Sequence, residues 1–273
     1  MFPFGGAAVV AAAATLVVLT GGLLGCAHAP TDDASMVSDA SATNQSVVLG
    51  AAARALFQTP VAGGEWQVMR MPGKTYVPFE SVSRVGRPAL QVSARRSVSV
   101  LRQRFEPGLE GVGALDFSWM VEALPHGADL KRADATDAPV RILLAFDGDR
   151  SRWNPAAHRL SELSRLLTGE PLPYATLSYV WSRDDAPESV VFNPRTDRIR
   201  KVVVDSGSQH LGQWRDHSRD VRADFIRAFG EEPGPMTAVA VMTDTDNTRS
   251  RLRAWYGAMR LSAARAVGTS DVR

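Results

Sequence analysis

The constraint on this chain that does most to narrow its fold is residues 239–261, which read as two strands joined by an acidic, hydroxyl-rich turn. Residues 239–242 are apolar on both faces, as a strand in the middle of a packed layer must be. From 254 to 261 the chain alternates. Trp255, Gly257, Met259 and Leu261 fall on one face, and Ala254, Tyr256, Ala258 and Arg260 on the other. A period of two buries one face only in a sheet. Residues 115–124 repeat the pattern, with Leu115, Phe117, Trp119 and Val121 inward and Asp116, Ser118, Met120 and Glu122 outward.

Further strand-like segments bounded by Pro and Gly run over 66–71, 76–82, 89–94, 97–102, 140–146, 175–181, 189–192 and 198–204, the last two joined by a hairpin. No long helix separates most of them, so they pair antiparallel and not as βαβ units. Two short helices interrupt the series. Asn154 caps the first, Pro155 opens it and Gly169 stops it, with Ala156, Leu160, Leu163 and Leu167 as its apolar stripe. The second runs from about 219 to 229, with Val221, Phe225, Ala228 and Phe229 inward. The expectation is a mainly β chain: an antiparallel β-sandwich of jelly-roll type, like a carbohydrate-binding module, with two short helices. Residues 47–58 allow one more helical turn or two.

The N-terminus has a different character. Residues 1–26 hold no charged side chain, carry an Ala/Val/Leu run and close on Leu23-Leu24-Gly25-Cys26. A short apolar stretch ending in small residues is a secretory signal and too short to span a membrane comfortably. Its ending resembles the lipobox of bacterial lipoproteins, in which the cysteine is lipidated, and Cys26 is the only cysteine in the chain. The organisation expected is a lipoprotein signal peptide over 1–25, a lipidated Cys26 with a flexible tether over 26–50, a β-sandwich domain over 51–263 and a disordered tail over 264–273. The protein is then anchored in the bacterial cell envelope, at the outer membrane and facing the periplasm. With 31 basic and 29 acidic side chains the net charge is +2, which supplies no footprint for nucleic acid.

Several segments, in order, resemble the bacterial family known as domain of unknown function 3047. They are Gly127-Ala128-Asp129-Leu130, Leu172-Pro173-Tyr174 running into Tyr179-Val180-Trp181, Arg219-Asp220-Val221 with Asp224-Phe225, Met242 to Thr248, and Trp255-Tyr256-Gly257. The resemblance covers residues 66–261 and implies an exported protein of mainly β character. It implies no activity.

Candidate chemistry is sparse. Asp244, Asp246 and Asn247 offer oxygens to a structural calcium, or else cap their own turn. Asp116 and Glu122 share a strand face but lie about 20 Å apart on an extended strand, beyond the roughly 5 to 9.5 Å of paired glycosidase carboxyls. Of the five histidines, His126, His158, His210 and His217 lack metal-site spacing and read as loop or surface residues. No catalytic residue emerges. Among the aromatic side chains, Trp153, Trp214 and Tyr174 are the candidates to meet a ligand, although Trp153 can instead staple the helix it precedes. The functional expectation is a non-catalytic module for a glycan or another envelope ligand. The alternatives are a polysaccharide hydrolase or lyase, and a purely structural lipoprotein.

Overall fold

The computed structural model describes residues 49–59 and 64–263. The expected signal, Cys26, most of the tether and the C-terminal tail lie outside the described residues. Among the described residues, thirteen strands form two sheets. One contains β1 (Phe57–Gln58), β3 (Phe79–Arg84), β4 (Arg87–Arg95), β6 (Val112–Val121), β11 (Arg215–Asp220) and β13 (Arg251–Ala263), in the order β11-β6-β13-β4-β3 with β1 beside β13. The other contains β2 (Gln67–Met69), β5 (Val98–Leu109), β7 (Ala138–Phe146), β8 (Ala175–Ser182), β9 (Val190–Asn193), β10 (Thr196–Ser206) and β12 (Met236–Asp244). Its order is β2-β5-β12-β7-β8-β10-β9. The paths β4-β13-β6-β11 and β5-β12-β7-β8 are the two four-stranded halves of a jelly roll, a sandwich built from two Greek keys.

Two pairings depart from the antiparallel rule: β10 runs parallel to β8, and β1 parallel to β13. The first has a simple cause. After β8 the chain skips one strand position to lay β9 at the sheet edge, then returns through the 193–196 hairpin into the gap.

The core lies between the sheets. From the six-stranded sheet it takes Leu90, Val92, Leu115, Phe117, Trp119 and Val121, and from the seven-stranded sheet Leu101, Ile142, Leu144, Leu177, Tyr179 and Trp181. Each such large side chain contributes about 1.5–3 kcal/mol through burial. The phase of β13 changes along its length. Leu252, Ala254 and Tyr256 face the core, but after a register shift between Tyr256 and Met259 it is Met259 and Leu261 that do so. The bulge at Gly257 therefore turns Trp255 to the outer face, against Ala89 and Met120. A Cβ at Gly257 would meet Ser118 Oγ and the Trp214 ring, so glycine is what permits that ring to approach.

Three α-helices are present among the described residues. The first, α1, spans residues 49–56, with Leu49 and Ala53 in the core. The second, α2 (Pro155–Thr168), has the expected ends: Asn154 Oδ1 accepts from Ala157 N at 2.8 Å, and Gly169 closes it with φ 78°. Its inward face is not the expected leucine stripe. Ala157 and Ser161 are buried, whereas Leu163, Leu166 and Leu167 are exposed. Small and hydroxyl side chains set that face because Ser161 Oγ accepts from Leu172 N and Ser164 Oγ donates to Glu170 O. The third, α3 (Val221–Phe229), is capped by Asp220 and packs Val221, Phe225 and Ala228 inward as expected.

Candidate functional site

The outer face of the seven-stranded sheet is hollowed into a groove of about 610 Å³. Its shape follows from side-chain size. On the middle strands the outward positions carry Ala238 and Ala240 of β12, Ala145 of β7, and Thr176 and Ser178 of β8, all small. Larger residues rise around them: Met69 and Met71 at one side, Val98, Val100, Arg102 and Arg104 along β5, and Leu143 and Met242 in the floor. The size is that of pockets which hold small organic ligands.

Charge is unevenly spread around the groove. Lys74, Arg102, Arg104, Arg141, Arg150, Arg195 and Lys201 line it, against Glu106, Glu170, Asp244 and Asp246. Arg102 is answered by Glu170 at 2.8 Å. Lys201, only 1% exposed, donates from Nζ to Leu130 O at 2.6 Å. Burial, joined by repulsion from Arg141, pulls its ammonium down to about 7, while Asp185 and Asp129 work the other way.

At one end of the groove stands the acidic turn. Asp244 and Asp246, expected from sequence, converge with Asp137, which was not, and carboxylate oxygens of the three lie within 4.8 Å of one another. Each already has partners. Asp137 accepts from Asn247 N at 3.3 Å and from Thr248 N and Oγ1 at 2.8 and 2.6 Å, so it caps the turn from outside. Asp246 pairs with Lys74, and Asp244 Oδ2 lies 3.5 Å from Arg141 Nη2. Asn247 spends its side-chain amide on Thr136 Oγ1 at 3.3 Å. Burial raises Asp244 to about 8 in spite of Arg141, and its hydrogen bond to Asp246 adds to the rise. Burial also pushes Asp246 upward, but the bonds from Asp244 and Lys74 outweigh it and hold its carboxyl low. Near neutral pH, Asp244 thus donates its proton to the Asp246 carboxylate. Two carboxyls joined through one proton leave no room for a glycosidic bond between them. Two internal cations also hold the places where a calcium ion would draw charge.

The three aromatic candidates do not gather. Trp153 and Tyr174 are 6% and 4% exposed and stack on each other, ring centroids 6.2 Å apart, so neither presents a free face. Trp153 also meets His158 edge-on at 5.5 Å, the contact of a residue before the N-cap with the fourth helical residue. Tyr174 donates from its hydroxyl to Glu231 Oε1 at 2.7 Å. Trp214 sits on the opposite sheet, half-buried beside Trp255, with its indole N–H donated to Arg84 O at 3.0 Å. Among the groove-lining residues the aromatic ring is that of Phe105.

Sequence reading also missed the surroundings of His217. It lies on β11, whose residues Arg215 to Asp220 carry no apolar side chain to signal a strand. Its Nε2 is 2.7 Å from Asp205 Oδ2, and Asp205 also accepts from Trp119 Nε1 at 2.7 Å and Arg215 Nε at 3.0 Å. Burial pushes the Asp205 carboxyl up, but the bonds from His217 and Trp119 outweigh it and hold the group low. This carboxylate ties β10 of one sheet to β6 and β11 of the other. With its neighbours all engaged in that tie, it is framework.

The model of the family described as "Protein of unknown function (DUF3047)" matches residues 64–260, and the chain belongs to that family. No curated protein matches in sequence. Among solved structures the chain is similar to the xyloglucanase domain of NopAA, a type three effector from Sinorhizobium fredii, in complex with cellobiose. That likeness has 10% identity and a TM-score of 0.39, over 74% of this chain and 95% of the other. It is similar to the endo-1,4-beta-glucanase CelB2 at 10% identity and a TM-score of 0.39, over 76% and 94%. It is also similar to TmCBM61 in complex with beta-1,4-galactotriose, at 11% identity and a TM-score of 0.32, over 72% and 88%. At such scores the likenesses add nothing to what the strand order already establishes.

Proposed function

We propose that this chain, as a member of that family, is a lipid-anchored module of the bacterial cell envelope. In this reading it holds a glycan in the groove across its seven-stranded sheet without transforming it. The observation that carries this is the groove itself: small side chains in the centre, methionines and valines beside them, and hydrogen-bonding and basic groups around the edge. The anchor is supported by the Leu-Leu-Gly-Cys sequence ending at Cys26.

A screen of the full-length protein against envelope glycans and peptidoglycan tests the reading, with product release measured in the same wells. Ala238 is half-buried on the groove floor, so Ala238→Trp fills the groove rather than the core. We expect it to lower affinity at least about tenfold while changing stability by less than about 1 kcal/mol. Glycan binding that Ala238→Trp leaves intact would sink the reading. Palmitate incorporation that Cys26→Ala does not abolish would remove the anchor.

A further inference from the structure

The groove floor holds polar groups that the fold does not use. Among the buried side-chain atoms without a hydrogen-bond partner in the described residues, Arg141 Nε and Ser178 Oγ belong to residues lining the groove. Arg141 is 8% exposed and Ser178 1%. Leaving such groups unsatisfied costs free energy, so a position with two of them invites a partner. They are neighbours. Ser178 stands opposite Lys201 across the β8–β10 pairing and opposite Leu143 across β7–β8, and Arg141 follows two residues from Leu143 on the same strand face. The Lys201 ammonium has three N–H groups, one of them on Leu130 O.

All three side chains can donate; Arg141 is a cation, and Lys201, its ammonium pulled down to about 7, is held in the charged form when an anion sits beside it. The acids nearby do not cancel them: Asp244 keeps its proton near neutral pH, and Asp185 is engaged by Lys131 at 2.6 Å and by Ser182 Oγ at 2.9 Å. Arg141 also donates to Thr136 O, which directs one end of its guanidinium away from the floor and leaves Nε unmatched.

We propose that Arg141, Ser178 and Lys201 form an oxyanion subsite in the groove, which receives a carboxylate or phosphate group carried by the bound glycan. The inference rests on the glycan-binding reading and names the class of sugar: acidic. An oxyanion accepts several donors at once, and charge-assisted bonds of this kind are about twice as strong as neutral ones. A neutral sugar would leave the Arg141 charge unanswered and would not hold the proton on Lys201.

The test uses the full-length protein and two matched pairs of probes in titration calorimetry: trigalacturonate with its methyl ester, and mannose 6-phosphate with mannose. At least one charged probe should bind about tenfold or more tighter than its neutral partner, and which one tells a uronate from a sugar phosphate. Ser178→Ala removes only an unpartnered hydroxyl, so the variant should fold. It should weaken the charged probe about threefold or more and leave the neutral one unchanged. Lys201→Met, which keeps the apolar stem, should erase most of the preference for charge. Equal binding of charged and neutral probes overturns the subsite and leaves the groove reading standing. So does a loss in Ser178→Ala that strikes both probes alike. Glycans that bind elsewhere, untouched by Ala238→Trp, overturn both.

Discussion

The outer faces of the two sheets are built from the same kind of strand and finished in opposite ways. On the six-stranded sheet, Trp214 and Trp255 cover Ala89 and Met120, and the charges are paired or stacked in place, Arg84 Nε alone among these keeping no hydrogen-bond partner. Arg84 lies over the Trp255 ring at 4.6 Å, Arg87 reaches Asp216 at 2.7 Å and Arg253 reaches Glu122 at 2.6 Å. On the seven-stranded sheet many of the middle positions are Ala, Thr and Ser, nothing large among the described residues closes over them, and Arg141 and Ser178 keep unmatched atoms. One face spends its side chains on stability; the other keeps them for something outside the chain. That difference, more than the sandwich itself, is what points to a site.

The contrast can be broken most severely at the joint both faces depend on. Asp205→Ala strips the shared acceptor from Trp119, Arg215 and His217. Removing one member of a buried charged network should cost about 3–5 kcal/mol in urea-induced unfolding. A loss near zero would mean that Asp205 does not tie the sheets. Next comes Trp214→Ala, which opens the closed face. It should cost about 2–3 kcal/mol and leave glycan affinity unchanged, so a fall in affinity matching that of Ala238→Trp would erase the division of labour.

Acid and base separate the faces more gently. Asp244 is raised in the folded chain to about 8, above its usual carboxylate value. The folded protein therefore binds a proton that the unfolded one releases, and stability falls as pH rises from about 4 to about 8. Asp244→Asn mimics the protonated form. Its melting temperature should exceed the parent's by a margin that widens over that interval, whereas a constant margin would argue against a proton on Asp244. The smallest effect is expected from calcium: with Lys74 and Arg141 seated among Asp137, Asp244 and Asp246, excess calcium and a chelator should give the same melting temperature. A clear rise with calcium would turn the turn into a cation site.

Much of the fold was legible because burial writes itself into alternation. Residues 115–121 kept one phase throughout, and the caps of α2 sat where Asn154 and Gly169 announced them. Three things were hidden. β11 had no apolar face to declare because it is an edge strand, bonded through one side only. The phase of β13 was broken by a bulge that only pairing reveals. The leucines of α2 suggested the wrong inward face, since hydroxyl groups hold that helix in place through Leu172 N and Glu170 O.

The site was fainter still. Residues 239–242, apolar on both sides, announced an interior strand, and so they are. Yet Ala240 and Met242 face the groove and not a second layer. A small apolar side chain on an uncovered sheet face looks the same in sequence as one beneath a helix. Asp137 joined the acidic turn from more than a hundred positions away, a meeting no local spacing encodes.

The order of the strands has a consequence for synthesis. β12 lies between β5 and β7, and β13 between β6 and β4, so the two strands synthesised last among the described residues are interior members of the two sheets. Until they emerge, each half of the molecule is missing a centre strip, and neither can zip shut around a partial chain. The chain must run through β13 before the sandwich can settle, and a stop codon ahead of β12 would leave two open seams rather than a smaller protein.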